Sequence, residues 1–338
     1  MKYTIHKNFS EIDSLEWNTL LSASISDNPF LRYEYQRAWW EHRGGGEWET
    51  AELILISARE DGSLIGIAPL FISKYDGQSA LLLIGSIEIS DYLDLIVRMD
   101  DHLRFVSGLL DFLASDLADN WSGLDWYNLP DSSPTLAALK AESTQRGWTH
   151  LEEIYRPTPR IALNGSFEEY LSRVEKKQRH EIRRKMRRAE REASGRGVRW
   201  FISDMADAES EIDAFLALME HDEGKAGFLH EPMRNQMRAV IRTAHESGWL
   251  WLAFLEADGQ RIAACLNFDY NNKLWGYNAG VNREFMELSP GWVLLAYTLQ
   301  WACENNRTEF DFMRGDEEYK YRFGAVNQYV MRVKLVRN

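Results

Sequence analysis

The chain has 338 residues, 45% of them apolar, with 13 Trp, 14 Tyr and 15 Phe, enough to build sizeable cores in about two domains. Its 39 Lys and Arg against 52 Asp and Glu leave a net charge of −13, which argues against a general nucleic-acid binder. The two cysteines, Cys265 and Cys303, sit in apolar runs and read as small core residues rather than a disulfide framework. With no apolar leader run after Met1 and no stretch of about 18 apolar residues, a soluble, cytoplasmic protein without a membrane span is expected.

In chain order, residues 13–21 and 32–42 have helical character, joined by the turn-rich Ser26-Asp27-Asn28-Pro29, and Gly44-Gly45-Gly46 ends the second helix. Two apolar runs, 51–58 and 64–71, flank Asp61-Gly62, a strong short hairpin signal. Residues 81–84 and 92–97 read as further strands, 105–117 as an amphipathic helix, 124–129 as a strand and 136–146 as a helix stopping before Gly147. Pro157 and Pro159 bracket a linker, after which 160–163 reads as a crossing or edge strand.

Residues 173–199 are the sharpest compositional shift, with twelve Lys or Arg against four Glu in an otherwise acidic chain. One meaning is a helix that binds a polyanion, with Arg183 and Arg184 as contacts to a phosphorylated ligand or nucleic acid. The same composition also suits a solvated helix anchored by Leu171, Val174, Ile182 and Met186 on one narrow apolar face.

Beyond it, 198–203 reads as a strand and 208–221 as a helix with Ile212, Phe215, Leu216 and Met219 on one face. His221-Asp222-Glu223-Gly224-Lys225 reads as a charged loop and 232–245 as a helix. Residues 249–255 and 262–268 form a second hairpin around Asp258-Gly259, and Asn271-Asn272 turns the chain into strand 274–279. The halves echo each other: Leu64-Ile65-Gly66-Ile67-Ala68 resembles Arg261-Ile262-Ala263-Ala264-Cys265, and Leu124-Asp125-Trp126-Tyr127 resembles Phe310-Asp311-Phe312-Met313. A period this long suggests a duplicated domain, divided as 1–156 and 157–338.

Ser289-Pro290-Gly291 opens an apolar helix at 292–304, with Ser fitting the N-cap and Pro the first helical position. The free N–H groups of such a start suit a pyrophosphate, and Gly291 lets a ligand come close to the backbone. The strand at 308–313 alternates, placing Phe310 and Phe312 on one face and Asp311 and Met313 on the other. Arg314-Gly315 stops it, and Asp316 begins a segment that carries Tyr319, Lys320 and Arg322. The first copy has no counterpart of Tyr319-Lys320-Tyr321-Arg322, which directs the activity to the second. No Gly-x-Gly-x-x-Gly, Walker loop, His-Glu-x-x-His or Gly-x-Ser-x-Gly occurs, and the eight histidines lack metal-ligand spacing, so no metal is expected.

This order of basic helix, Asp-Gly hairpin, strand, Ser-Pro-Gly helix and Asp-Phe-Met-Arg-Gly-Asp-Glu-Glu-Tyr-Lys-Tyr-Arg-Phe resembles the GNAT-type acyltransferases of the CelD-like family, linked to cellulose or exopolysaccharide biosynthesis and related to the FemAB peptidyltransferases. The resemblance implies an α/β (α+β) fold of two tandem GNAT-like domains, each a mixed twisted sheet flanked by helices. It also implies acyl transfer from acyl-CoA, such as acetyl-CoA, to an amine or hydroxyl of a sugar or small metabolite. Pantetheine would lie between splayed strands 274–279 and 308–313, beside Tyr277, Asn278 and Ala279, with the pyrophosphate at Ser289, Gly291 and Trp292. The chain departs from the usual Arg/Gln-x-x-Gly-x-Gly/Ala phosphate loop, carrying Glu287-Leu288-Ser289-Pro290-Gly291-Trp292 there.

In that chemistry a carboxylate or imidazole takes the nucleophile's proton, and Asp311, Asp316 and His221 are the candidates in that order. A backbone N–H near residues 277–279 would hold the oxyanion. Tyr319 would protonate the departing thiolate, and Lys320, Arg314 or Arg322 would hold a substrate anion. Two alternatives differ in partner. A FemAB-like enzyme would take its acyl group from aminoacyl-tRNA through the basic segment, and a non-catalytic module would serve a polysaccharide-synthesis assembly.

Overall fold

The computed structural model describes residues 1–75, 77–117 and 121–337, which fall into two compact units. The first comprises Met1–Pro157 with Gln328–Asn338, and the second Thr158–Asn327. The boundary lies beside the expected one, but the C-terminal segment belongs to the first unit, whereas the sequence reading kept 157–338 together.

The first unit contains β1 (Lys2–His6), α1 (Ser14–Leu21), α2 (Tyr33–Gly46), β2 (Glu52–Glu60), β3 (Ser63–Tyr75), β4 (Gln78–Leu83), β5 (Ile96–Val97), α3 (Met99–Asp116), β6 (Gly123–Pro130) and α4 (Pro134–Gln145), and β7 (Thr149–Ala162) leads out of it. Asp13 caps α1 by accepting from Glu16 N at 2.8 Å. Glu60 faces Ser63 across a two-residue turn in which Asp61 (φ 50°) and Gly62 (φ 83°) both take left-handed dihedrals, the type I′ geometry that matches strand twist. β1 to β4 form an antiparallel series, α3 crosses over, and β6 then pairs in parallel with β4. The C-terminal strand, Val326–Val336, pairs antiparallel with β6.

Two expectations need correction in this unit. Only Ile96–Val97 of residues 92–97 pairs as a strand. The segment before it is held instead by Asn128, whose side chain donates to Ile87 O (3.0 Å) and Ser90 O (2.8 Å) and whose carbonyl accepts from Leu93 N (2.9 Å). Pro157 and Pro159 are not in a linker but inside β7. A proline removes only a donor, and the Pro159 carbonyl still accepts from Phe312 N at 3.0 Å.

The second unit continues with α5 (Phe167–Arg173), α6 (Lys176–Arg196), β8 (Arg199–Ile202), α7 (Ala208–Glu220), α8 (Glu223–Phe228), α9 (Glu231–Glu246), β9 (Leu250–Ala257), β10 (Gln260–Tyr270), β11 (Lys273–Val281), α10 (Pro290–Glu304), β12 (Glu309–Asp311) and α11 (Glu318–Arg322), after which the C-terminal strand becomes β13. A capping box of Ser166 and Glu169 starts α5. The basic segment is α6, anchored by buried Ile182, Met186 and Ala189. The expected charged loop after α7 is in fact the short helix α8, capped by Asp222 accepting from Lys225 N.

β8 to β11 run antiparallel, α10 crosses over, and β12 pairs in parallel with β11. The last residues of β7 pair antiparallel with β12. The connection β-meander, helix, parallel strand therefore occurs in both units, the physical content of the sequence echo. Along β9 the faces divide by alternation: Trp251, Ala253 and Leu255 join the cluster of α5, α6 and α10 residues, while Leu252 and Phe254 are buried on the opposite face.

Candidate functional site

The strands β11 and β12 touch only through Lys273–Glu309, Leu274–Phe310 and Trp275–Asp311. β12 then ends, whereas β11 runs on to Val281, with a bulge opposite Leu266 and Asn267 of β10. The pairing of the two strands thus stops at Trp275, and the residues expected beside the acyl donor, Tyr277, Asn278 and Ala279, lie on the stretch of β11 beyond it, which still runs along β10. Tyr277 packs on Phe268, ring centroids 4.8 Å apart.

From α8, Lys225 reaches this stretch: its Nζ donates to Asn278 Oδ1 at 2.9 Å and to Ala279 O at 2.6 Å. Asn278 Oδ1 also accepts from Ala279 N at 2.9 Å, so that N–H, one expected oxyanion donor, already has a partner. Burial lowers the Lys225 pKa below the ordinary lysine value, against the pull of Asp222 and Glu317. Lys225 and Glu317 were not singled out from the sequence. The short Asp222-capped helix is what aims Lys225, and Glu-Gly-Lys alone carries no sign of it.

The chain after β12 is tightly held. Asp311 is fully buried, its Oδ2 2.9 Å from Arg160 Nε and its Oδ1 accepting from Met313 N at 2.7 Å. Asp311 and, just past the strand, Met313 are as buried as Phe310 and Phe312, so both faces are covered and the expected half-buried alternation fails. Lys320 is 2% exposed and gives Nζ contacts to Arg314 O (2.9 Å), Gly315 O (3.2 Å) and Glu317 Oε2 (2.8 Å). Three donors with three internal partners hold the loop, in place of the contact with a substrate anion expected of Lys320. Asp311 likewise spends its oxygens on the strand's own anchoring rather than on a nucleophile. Tyr319 lies edge-on to Phe312 at 6.0 Å, and desolvation, then the Glu317 charge, raises its phenol pKa above the usual range. Asp316 and His221 are exposed, the latter at the C-terminal cap of α7.

At the start of α10, Ser289 has left-handed dihedrals (φ 53°, ψ 52°) and makes no side-chain cap, a correction to the expected N-cap hydrogen bond. Beside it a groove of about 460 Å³ is lined by Lys177, His180, Glu181, Arg184, Lys185, Trp292, Glu318 and Arg322. Lys185 Nζ lies 4.2 Å over the Trp292 ring, and burial lowers its pKa. Arg184 pairs with Glu181 (2.7 Å) and Arg322 with Glu318 (2.7 Å), both pairs in part exposed. Arg183 is turned elsewhere, onto Glu168. The structure therefore brings the expected Arg184, Trp292 and Arg322 together but not the equally expected Arg183, and it adds Lys177 and Lys185, which helical spacing brings to the face that carries Arg184. The groove offers a set of cationic donors to an anion at a helix start.

Among the described residues no group of three or more His, Cys, Asp or Glu lies together as a metal site would need, and no helix is long and apolar enough to cross a membrane.

Residues 176–321 match a family model described as an acetyltransferase (GNAT) domain. No curated protein matches the chain in sequence. Among solved structures, FemX superposes with a TM-score of 0.68 at 13% identity, covering 98% of this chain and 97% of that one. L-PGS from Bacillus licheniformis gives 0.57 at 13% identity over 96% and 92%, and a tandem GNAT protein from the clavulanic acid biosynthesis pathway gives 0.52 at 12% over 98% and 97%. The chain therefore has the mixed α/β fold of tandem GNAT proteins, with an acyltransferase-like domain in its second half.

Proposed function

We propose that the second unit transfers an acyl group from an acyl-CoA thioester to an amine or hydroxyl of a sugar or small metabolite, in a role such as polysaccharide biosynthesis. The observation that carries the proposal is the parting of β11 from β12 beyond Trp275, next to the cationic groove at the start of α10. A pyrophosphate in that groove would meet Lys177, Arg184, Lys185 and Arg322, and an extended pantetheine would follow β11 beyond Trp275. Donor chemistry and charge sign both suit such a ligand, although the chain as a whole carries −13. The nucleophile adds to the thioester carbonyl and yields its proton to a base, the C–S bond breaks, and Tyr319 donates its phenol proton to the departing thiolate. Acetyl-CoA and CoA are expected to raise the melting temperature; no stabilisation by any acyl-CoA would sink the reading.

A second reading is favoured by α6, whose cations continue beyond the groove through Arg187, Arg188 and Arg191. On it the acyl donor is an aminoacyl-tRNA lying along this helix. Salt-sensitive tRNA binding, lost on reversing Arg183, Arg184 and Arg187, would decide for it over the first.

A further inference from the structure

We propose that Lys225 is the general base of the transfer, taking the proton from the attacking amine or hydroxyl; the assignment rests on the acyl-transfer reading above. Its Nζ donates to two neutral carbonyl oxygens, Asn278 Oδ1 at 2.9 Å and Ala279 O at 2.6 Å, on the stretch of β11 that has left β12. A neutral amine has two N–H bonds and one lone pair. In that form the two carbonyl acceptors would take both N–H bonds and leave the lone pair for the nucleophile's proton. Among the described residues no carboxylate lies within the 4.0 Å ion-pair distance of this nitrogen.

The charged groups that face Lys225 are already spoken for. Asp222, the N-cap of its own helix, pairs with Arg283 at 3.0 Å, and Glu317 from the loop before α11 pairs with Lys320 at 2.8 Å. The β11 groups that reach it, the Asn278 side-chain amide and the Ala279 carbonyl, are both neutral. The half-buried setting disfavours its charged form, which suits a base that must be free of its proton when the nucleophile arrives. The nucleophile's proton moves to the Lys225 lone pair as its nitrogen or oxygen bonds to the thioester carbon. The C–S bond then breaks, and the thiolate leaves with the electron pair. Tyr319 protonates it, and the proton held by the Lys225 ammonium passes through solvent to the Tyr319 phenolate, which restores the starting state.

The test uses the full chain with acetyl-CoA. Competitive labelling with acetic anhydride from about pH 6 to 11, read by peptide mass spectrometry, gives the titration of each lysine. Lys225 is expected to become reactive at lower pH than exposed Lys2 and Lys176, and acetyl-CoA is expected to slow its labelling. Lys225→Arg keeps the donors and the charge but has no accessible lone pair. It is expected to bind acetyl-CoA with unchanged affinity and to release free thiol, with water as acceptor, about 100-fold more slowly than the wild type. Acetyl-CoA binding with Lys225 titrating like Lys2, or with wild-type thiol release no faster than that of Lys225→Arg, overturns the assignment and leaves the acyl-CoA reading standing. No acetyl-CoA binding at all overturns that reading and the assignment together.

Discussion

Arg160 Nε stands 2.9 Å from Oδ2 of Asp311, a carboxylate with no exposed surface, and this pair ties the end of β7 to β12 where β12 stops. Removing the cation strands a buried charge, a loss of about 3–5 kcal/mol. Arg160→Ala is therefore expected to lower the urea midpoint by that amount in ΔG, whereas Arg160→Lys should recover part of it. A change under about 1 kcal/mol for Arg160→Ala would show that water or another group takes the place of the guanidinium.

The groove predicts a binding effect without a stability effect. Arg184 and Arg322 each pair with an exposed carboxylate, and such pairs contribute about 0–1 kcal/mol to folding. The double variant Arg184→Glu, Arg322→Glu should keep its melting temperature but bind CoA about 10–100-fold more weakly, with a shallower salt dependence. Calorimetry at two salt concentrations checks both points, and unchanged affinity places the anion elsewhere.

Gly280 lets α7 lie directly on β11. A Cβ built there would be 2.5 Å from both Leu218 C and Met219 N, which are backbone atoms that cannot rotate away. Gly280→Ala should cost about 1–3 kcal/mol by overpacking. Because α8 follows α7 and carries Lys225, the same change should also disturb the labelling rate of Lys225. A variant as stable as the wild type would mean that α7 shifts freely.

Asp94 makes stability depend on pH. It is buried in the first unit and accepts from Ser133 Oγ (2.6 Å), Thr135 Oγ1 (2.7 Å) and Leu95 N (2.8 Å). Burial outweighs these hydrogen bonds and pushes its carboxyl up to about 6 from 3.8. The folded state thus holds this proton more tightly than the unfolded chain does. Its contribution is full below about pH 4 and is lost as pH rises through about 6, a span worth roughly 3 kcal/mol. Asp94→Asn should flatten that part of the stability curve, read as urea midpoints at several pH values. An unchanged slope between the two proteins would remove Asp94 as its source.

Much of both units could be read in advance because local chemistry decides it. Asp61-Gly62 and Asp258-Gly259 adopt left-handed dihedrals whatever surrounds them, so both hairpins form where expected. The apolar spacing of α6 and α7 likewise fixes which side of each helix is buried. Pro157 and Pro159 misled for the opposite reason: the usual meaning of proline is a break, yet β7 contains both, and at Pro159 the strand uses the carbonyl that proline keeps.

The sequence by itself therefore determined the elements, their repetition across the halves, and the concentration of positive charge on one helix. Only the tertiary structure decided which charges work together. Lys225 and Asn278 are 53 residues apart in the chain, and Arg160 is still more remote from Asp311, so no local pattern records either contact. Lys320 shows the same limit from the other side. A lysine in a charged run reads as a ligand contact until folding supplies three partners for its three donors. Periodicity follows from the backbone, which every residue shares with its neighbours, whereas the state of a charge follows from burial and partners that only the folded chain brings to it.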